Sequence, residues 1–208
     1  MRCLITAGPT REHWDPVRYL SNGSSGKMGY ALAEAARGRG WEVELVSGPV
    51  AIKTPPGVNV TKVVSAAEML QACEARFGEC DVFIAVAAVS DYRPKLRASD
   101  KGGKHNGPMT LELEPTVDIL QAMGARRRAD QVLIGFAAET SDLERKAAEK
   151  LVRKHCDWIV ANDVSRPEIG MESDYNTVSL WNRGGKFAEV GPWPKTEVAA
   201  WILAKLFD

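Results

Sequence analysis

Residues 2–8, RCLITAG, form a short run of apolar and β-branched residues without alternating polar positions. Such a strand must be covered on both faces, which is typical of a parallel sheet between two layers of helices. Four more runs of this kind follow along the chain: WEVELVSG at 41–48, DVFIAVAAV at 81–89, QVLIGFAAE at 131–139 and DWIVAND at 157–163. These five runs predict the strands of one central sheet.

The stretches between these runs have apolar residues at helical spacing, and several begin with a serine or threonine that can cap a helix. They are KMGYALAEAARGRG at 27–40, SAAEMLQACEARFG at 65–78, TVDILQAMGARRR at 116–128 and SDLERKAAEKLVRK at 141–154, with KTEVAAWILAKLFD closing the chain at 195–208. The alternation predicts an α/β fold with a Rossmann-like, doubly wound and mostly parallel sheet. We expect residues 1–208 to form a single domain.

Two segments interrupt this alternation. Residues 92–115 are basic and rich in turn residues, with TLEL as a candidate strand, and form either an arm or an ordered loop. Residues 176–190, NTVSLWNRGGKFAEV, are typical of a β-hairpin with its turn at NRGG.

The composition favours a small-molecule partner. With 27 basic and 27 acidic side chains, the chain has no general attraction to nucleic acid or to an anionic membrane. No run approaches the roughly 18 apolar residues that span a bilayer. Four cysteines without a CxxC pair argue against a zinc ribbon or a disulfide framework. The three histidines have no metal-ligand spacing. From the composition we expect a soluble, cytoplasmic protein.

The stretch SNGSSGKMG at 21–29 lies beyond the first strand, where open α/β sheets bind ligands. Ser24, Ser25 and Gly26 would present backbone N–H groups and hydroxyls at the start of a helix, and Lys27 adds a positive charge. The same residues also suit a simple helix cap or a flexible linker, so the stretch alone does not decide for phosphate. The turn directly after the first strand lacks the GxGxxG of dinucleotide-binding proteins.

Four motifs taken together are more specific. They are TAGPTREHWDPVRYLSNGSSGKMGYALAEAA at 6–36, AAVSDYRP at 87–94, IGFAAET at 134–140 and IVANDV at 159–164. In this order and spacing they resemble the phosphopantothenoylcysteine synthetase family over nearly the whole chain. In many bacteria this domain follows a flavin-dependent decarboxylase, so the resemblance suggests a free-standing synthetase or an excised domain.

The resemblance implies a ligase of coenzyme A biosynthesis that joins 4′-phosphopantothenate to cysteine. CTP would activate the carboxylate as an acyl-cytidylate, with Mg²⁺ held mainly by the phosphates. It also implies a homodimer, for which segments 92–115 and 176–190 are the candidate interface. The alternatives are a non-catalytic nucleotide-binding homologue and an NAD(P)-dependent oxidoreductase.

The resemblance also implies roles for individual residues on the acyl side of the reaction. Asn22 matches an asparagine that contacts the acyl intermediate, and its amide can donate to an oxyanion. Arg18, Ala87 and Ala88 match positions that hold the phosphopantothenoyl group. The ordinary alternatives are a turn for Asn22, a surface ion pair for Arg18 and close packing for the alanines.

A second set matches positions that contact the nucleotide, with Lys101 also placed to neutralise charge during catalysis. Several of these positions also have an ordinary explanation: Asp91 can be a turn residue and Phe136 a core residue. The lysine pair 150/154 can lie on a solvated helix face. The set comprises Ser24, Ser25, Gly26, Lys27, Asp91, Lys101, Lys104, Val117, Asp118, Ile119, Leu120, Phe136, Lys150 and Lys154.

The sequence departs from the family pattern at two places. The usual KxKK segment is KGGK at 101–104, which lacks one lysine, and the usual NPD is TVD at 116–118. We expect these changes to affect nucleotide affinity rather than to remove Asn22, Asp91 or Lys101.

Overall fold

The computed structural model describes residues 1–103, 107–139, 143–163 and 172–208. Its strands, in chain order, are β1 Arg2–Ala7, β2 Arg11–His13, β3 Tyr19–Ser21, β4 Glu42–Ser47, β5 Asn59–Lys62, β6 Val82–Ala85, β7 Tyr92–Pro94, β8 Leu113–Pro115, β9 Val132–Glu139, β10 Trp158–Asp163, β11 Tyr175–Asn182 and β12 Gly185–Pro194. Its helices are α1 Lys27–Gly38, α2 Ala66–Phe77, α3 Ile119–Gly124, α4 Leu143–Arg153 and α5 Lys195–Phe207.

The central sheet has the strand order β12-β11-β10-β9-β6-β1-β4-β5. Six neighbouring strands are parallel, namely β5, β4, β1, β6, β9 and β10 in sheet order. Strands β11 and β12 add an antiparallel edge. Among the parallel strands the order is that of a dinucleotide-binding fold, with β1 at the position where the order reverses. The predicted Rossmann-like class is therefore confirmed.

Helices cover both faces of the sheet. Strand residues alternate between the faces, so that Ile5, on one face of β1, packs in a core with α1 and α5. Its neighbour Leu4 packs on the other face with α2, α3 and α4. Both cores are built from fully buried aliphatic and aromatic side chains, which explains the unbroken apolar runs in the sequence.

All five predicted strands are present, whereas β5, a short edge strand, and the small β2–β3 hairpin were not predicted from the sequence. The predicted hairpin at 176–190 is present as β11 and β12, and it extends the central sheet. In segment 92–115, β7 pairs with β8 and forms a small antiparallel arm. The predicted strand TLEL at 110–113 was misplaced, because the pairing residues are Leu113–Pro115.

Within the described residues, none of the helices is long and apolar enough to cross a membrane.

Candidate functional site

A cleft of about 630 Å³, its open mouth included, lies at the carboxyl ends of β1, β6, β9 and β10. This is where the strand order reverses and where such sheets bind ligands. We call it the cleft. It is lined by Gly8, Ser24, Gly26, Lys27, Met28, Gly29, Val86, Ala87, Ala88, Phe136, Ala137, Ala138, Asn162, Asn176 and Lys195.

Three glycines allow the backbone to form the base of the cleft. Gly8 and Gly26 have φ angles of +73° and +79°, and a Cβ on either would lie within 2.8 Å of the Val50 side chain. A Cβ on Gly29 would lie 2.5 Å from that of Ala7, so this glycine lets α1 pack closely on β1. The three glycines correspond in position to those of a GxGxxG fingerprint, with residues 9–25 between the first and the second.

Asn22 joins this insertion to the loop after β6. Its Nδ2 donates to the carbonyl oxygens of Ala88 at 3.0 Å and Val89 at 3.1 Å. The loops after β1 and β6 are also connected by backbone bonds, since Ala88 N–H donates to Gly8 O at 3.0 Å. Asn22 therefore holds one wall of the cleft, and both of its amide hydrogens point at carbonyl groups.

The predicted phosphate segment lies at the N-terminus of α1, as expected. Ser24 Oγ accepts a hydrogen bond from Gly26 N–H at 3.3 Å, and Gly26 caps the helix without a side-chain bond. Lys27 Nζ lies 2.6 Å from Asp174 Oδ1 and 2.9 Å from the carbonyl oxygen of Glu172. Ser25 is half-buried beside these residues. The cleft thus has a positively charged end.

The sequence analysis missed Lys195, the first residue of α5, which also lines this end of the cleft. Its Nζ donates to Ser173 O at 2.5 Å, and the residue is only 6% exposed. Burial and the charge of Lys27 lower the pKa of Lys195 to about 8, which Asp174 partly offsets. The signal for it was a lysine at a helix start, which the sequence does not connect to the other segments.

Arg18 does not line the cleft. Its Nε lies 2.5 Å from Oδ2 of Asp15, and its Nη2 reaches Gly102 O at 3.4 Å. Burial opposes ionisation of Asp15, but hydrogen bonds from the N–H groups of Arg18 and Val17 and from the guanidinium lower its pKa to about 2. The ion pair links the loop between β2 and β3 to the segment that carries Lys101.

Further candidates form a continuous chain of contacts away from the cleft. Asp91 O accepts a hydrogen bond from Thr116 N–H at 2.9 Å, and Asp118 caps α3 through Gln121 N–H. Lys154 Nζ lies 2.8 Å from Asp118 Oδ2. Burial opposes ionisation of Asp118, but Lys154 and Gln121 N–H lower its pKa. We call Asp91, residues 116–120 and Lys154 the outer strip.

Other nucleotide candidates have different surroundings. The side chains of Ile119 and Leu120 belong to the core, so that only their backbone can face a ligand, and Val117 is exposed. Lys101 is exposed in the loop next to Arg18, and Lys104 lies outside the described residues. Lys150 is half-buried on α4. Phe136 lines the cleft and also packs against the core, and its contact with a nucleotide stays a prediction.

Residues 1–208 match the family described as the DNA/pantothenate metabolism flavoprotein C-terminal domain. The chain belongs to this family. It is 46% identical over 204 residues to the coenzyme A biosynthesis bifunctional protein CoaBC of Bacillus subtilis (strain 168), covering 98% of this chain and 50% of that protein. CoaBC of Escherichia coli (strain K12) is 45% identical over 207 residues, with 98% and 50% covered.

The crystal structure of the C-terminal domain of CoaBC matches with a TM-score of 0.83 and 45% identity, covering 99% of this chain and 93% of that one. The two full-length CoaBC proteins are longer, and the chain spans about half the length of these curated relatives. The family predicted from the four motifs is confirmed. The roles of single residues and the homodimer remain predictions.

In this member of the flavoprotein C-terminal domain family, the cleft brings together Ser24, Gly26, Lys27, Ala87, Ala88 and Phe136 of the predicted residues, with Asn22 beside them. Within the described ranges, no group of three or more acidic, histidine or cysteine side chains is arranged to hold a metal ion. The cysteines are buried, and burial raises the pKa of Cys73 and Cys156 to about 12. The arrangement suits an anionic ligand better than thiol chemistry.

Proposed function

We propose that this domain joins 4′-phosphopantothenate to L-cysteine, using CTP to activate the carboxylate as an acyl-cytidylate. Its relatives are named for coenzyme A biosynthesis, and this chain corresponds to about half of each. The proposal rests chiefly on one observation: the cleft has a hydrogen-bonding wall at Asn22 and a cationic end at Lys27. The reaction of a carboxylate with a phosphoryl group needs the cationic end, and the later attack of the amine on the acyl carbon needs a hydrogen-bond donor.

The cationic end addresses the charge problem of the first step. A carboxylate approaching a phosphate is repelled, so fixed positive groups must neutralise the phosphate oxygens. The N–H groups at the start of α1 supply such charge, and Lys27 adds its own when its Nζ turns from Asp174 toward the phosphate. Mg²⁺ typically binds through substrate phosphates and retains several waters, so the proposed reaction needs no set of metal ligands from the protein alone.

Asn22 serves the second step in this proposal. When the cysteine amine attacks the acyl carbon, negative charge develops on the carbonyl oxygen and requires a hydrogen-bond donor. The Asn22 amide now donates to Ala88 and Val89. Donation to the oxyanion therefore requires that one of its hydrogens leave a carbonyl of the wall.

The outer strip supplies the nucleotide side of the proposal. It begins at Asp91, two residues after the wall residue Val89, and it ends at the ion pair of Asp118 and Lys154. A nucleotide along this strip would have its phosphates near the wall. Lys101 belongs to a neighbouring loop that the Arg18 ion pair anchors through Gly102.

The test is an assay of the purified chain with 4′-phosphopantothenate, cysteine, Mg²⁺ and CTP. We expect release of pyrophosphate and a cysteine-dependent release of CMP. Asn22→Asp replaces the donating amide with a carboxylate that repels the wall carbonyls, and we expect about a hundredfold loss of the second step. The acyl-cytidylate should then accumulate.

Asn182→Asp is the matched control, because Asn182 accepts a hydrogen bond from Gly184 N–H in the hairpin turn, which a carboxylate also does. It should retain full activity. If no product forms with any nucleotide, the proposed function is wrong, and binding of CTP without turnover would identify a non-catalytic homologue. If Asn22→Asp slows both steps equally, only the role given to Asn22 is wrong.

A further inference from the structure

We infer that Lys195 binds a phosphate group of the ligand in the cleft, together with Lys27. The inference deepens the proposed function and rests on it for the ligands from which that phosphate can come. The structure supports it through the placement of Lys195, the charge around it and the polar groups beside it.

The placement of Lys195 is unusual for a lysine. The residue is 6% exposed, yet it lines the cleft instead of extending into solvent. Lysine is almost never buried to this degree unless its charge has a function or a partner. In the described part of the chain, the charged side chains that line the cleft are Lys27 and Lys195.

Several positive groups meet at this end of the cleft. Lys27 and Lys195 are the first residues of α1 and α5, so each ammonium group lies at the positive end of a helix dipole. Among the described residues, the charged groups that act on Lys195 are Lys27, which repels it, and Asp174, which attracts it. The side chain of Asp174 is 77% exposed and is also bound by Lys27, so solvent weakens its compensation.

Two asparagines next to these lysines have incomplete hydrogen bonding. Asn162 lines the cleft, and its Oδ1 is buried without a hydrogen-bond partner among the described residues. Asn176 is buried, and its Nδ2 donates to the weak acceptor Sδ of Met28 at 3.7 Å. The two ends of an amide are interchangeable, so Asn162 can turn its donor toward a phosphate oxygen. Asn176 Oδ1 accepts from Thr177 N–H at 3.0 Å, so its Nδ2 is the end that can donate to a ligand.

A structural role is the alternative, because Lys195 Nζ also donates to Ser173 O in the segment before β11. That role requires a hydrogen-bond donor but no anion. If Lys195 binds phosphate, removal of its charge from an intact fold should weaken ligand affinity. If its role is structural, the affinity of a folded variant should not change.

The experiment measures binding of inorganic pyrophosphate and, separately, of 4′-phosphopantothenate by calorimetry, without turnover. Loss of a charge-assisted contact should weaken the affinity of Lys195→Met for at least one probe by about ten- to a hundredfold. Lys195→Arg keeps the charge and should retain most of the affinity. Lys205→Met, on the last turn of the same helix, is the matched control and should bind like the unaltered chain.

The two probes identify the source of the phosphate. If Lys195→Met loses affinity only for pyrophosphate, the nucleotide phosphates lie at Lys195. If it loses affinity only for 4′-phosphopantothenate, the substrate phosphate lies there, and pantothenate is the phosphate-free control. Either result supports the inference. Unchanged affinity for both probes in a folded Lys195→Met overturns it.

A pH series on the unaltered chain covers the case in which Lys195→Met does not fold. Because the pKa of Lys195 is lowered to about 8, its charge is present at pH 7 and is lost as the pH rises. The affinity of the unaltered chain for the probe should fall between about pH 7 and 9.5 relative to that of Lys195→Arg. Titration of the probe itself affects both proteins equally and cancels in this comparison. Parallel curves for the two proteins overturn the inference.

The outcome is separable from the ligase assay. A chain without ligase activity whose phosphate affinity depends on Lys195 would disprove the proposed function and leave the phosphate site intact. An active ligase in which Lys195→Met binds both probes normally would disprove only the inference.

Discussion

The cleft and the outer strip both contain lysines near a carboxylate, but their charges are arranged differently. In the cleft, Lys27 and Lys195 lie at the positive ends of two helices and share the exposed Asp174, so among the described residues positive charge is in excess. In the outer strip, Lys154 and Asp118 form a pair that neutralises both charges. The cleft is therefore prepared for an anion, whereas the strip must exchange its internal ion pair for contacts to a ligand.

The largest expected effect comes from disturbing the shape of the cleft with Gly29→Ala. The new Cβ would lie 2.5 Å from Ala7 Cβ and 3.1 Å from its Cα, so α1 must move away from β1. We expect a loss of about 1–3 kcal/mol in the free energy of unfolding, measured by urea titration. The phosphate affinity of the cleft should fall as well, because Lys27 moves with the helix.

Gly38→Ala is the control for this substitution, because a Cβ at Gly38, in the same helix, would meet no atom within 4 Å. It should leave the stability unchanged or raise it by up to about 1 kcal/mol. Equal stability of the two variants would show that the close contact between α1 and β1 does not shape the cleft.

The fold could be predicted because its determinants are local. The apolar runs of β1 and β6 and the helical spacing of α1 are visible in short windows. The segment at 21–29 was not recognisable from its own residues, because they also suit a helix cap or a flexible linker. The family resemblance then gave Asn22 and Lys27 a common site, and the structure places both at the cleft.

The remainder of the site depends on contacts between distant segments. Lys195 lines the cleft because α5 packs beside α1, and no short window contains that contact. The sequence indicates no glycine fingerprint in the turn after β1, because residues 9–25 separate Gly8 from Gly26 and Gly29, which the fold brings together. The pairing of Asp118 with Lys154 joins the start of α3 to the end of α4, which the spacing along either helix does not reveal.

A smaller effect is expected when the ion pair of the outer strip is removed by Lys154→Met. If the strip binds the nucleotide, loss of this cation should weaken CTP binding about tenfold, corresponding to about 1.4 kcal/mol. Calorimetry with CTP measures the change, and Lys205→Met again serves as the control. Unchanged affinity would confine nucleotide binding to the cleft and make the neutralised pair a structural feature.

The smallest effect concerns the dependence of stability on pH. The pKa of Asp118 is lowered in the folded state, so its ion pair stabilises the fold fully above the unfolded-state pKa of about 3.9. This contribution is lost as the pH falls through the lower folded-state pKa. The side chain of Asp118 is 37% exposed, so we expect less than about 0.5 kcal/mol.

Urea titrations of the unaltered chain and of Lys154→Met between pH 6 and pH 3 isolate this contribution, because the two proteins share every other carboxylate, including Asp15. Their difference in stability should shrink as the pH falls. A difference that stays constant would mean that Lys154 stabilises the fold through its buried alkyl chain and not through Asp118. In that case the strip could release its lysine to a nucleotide without losing an ion pair, and its contrast with the cleft would be weaker than the geometry indicates.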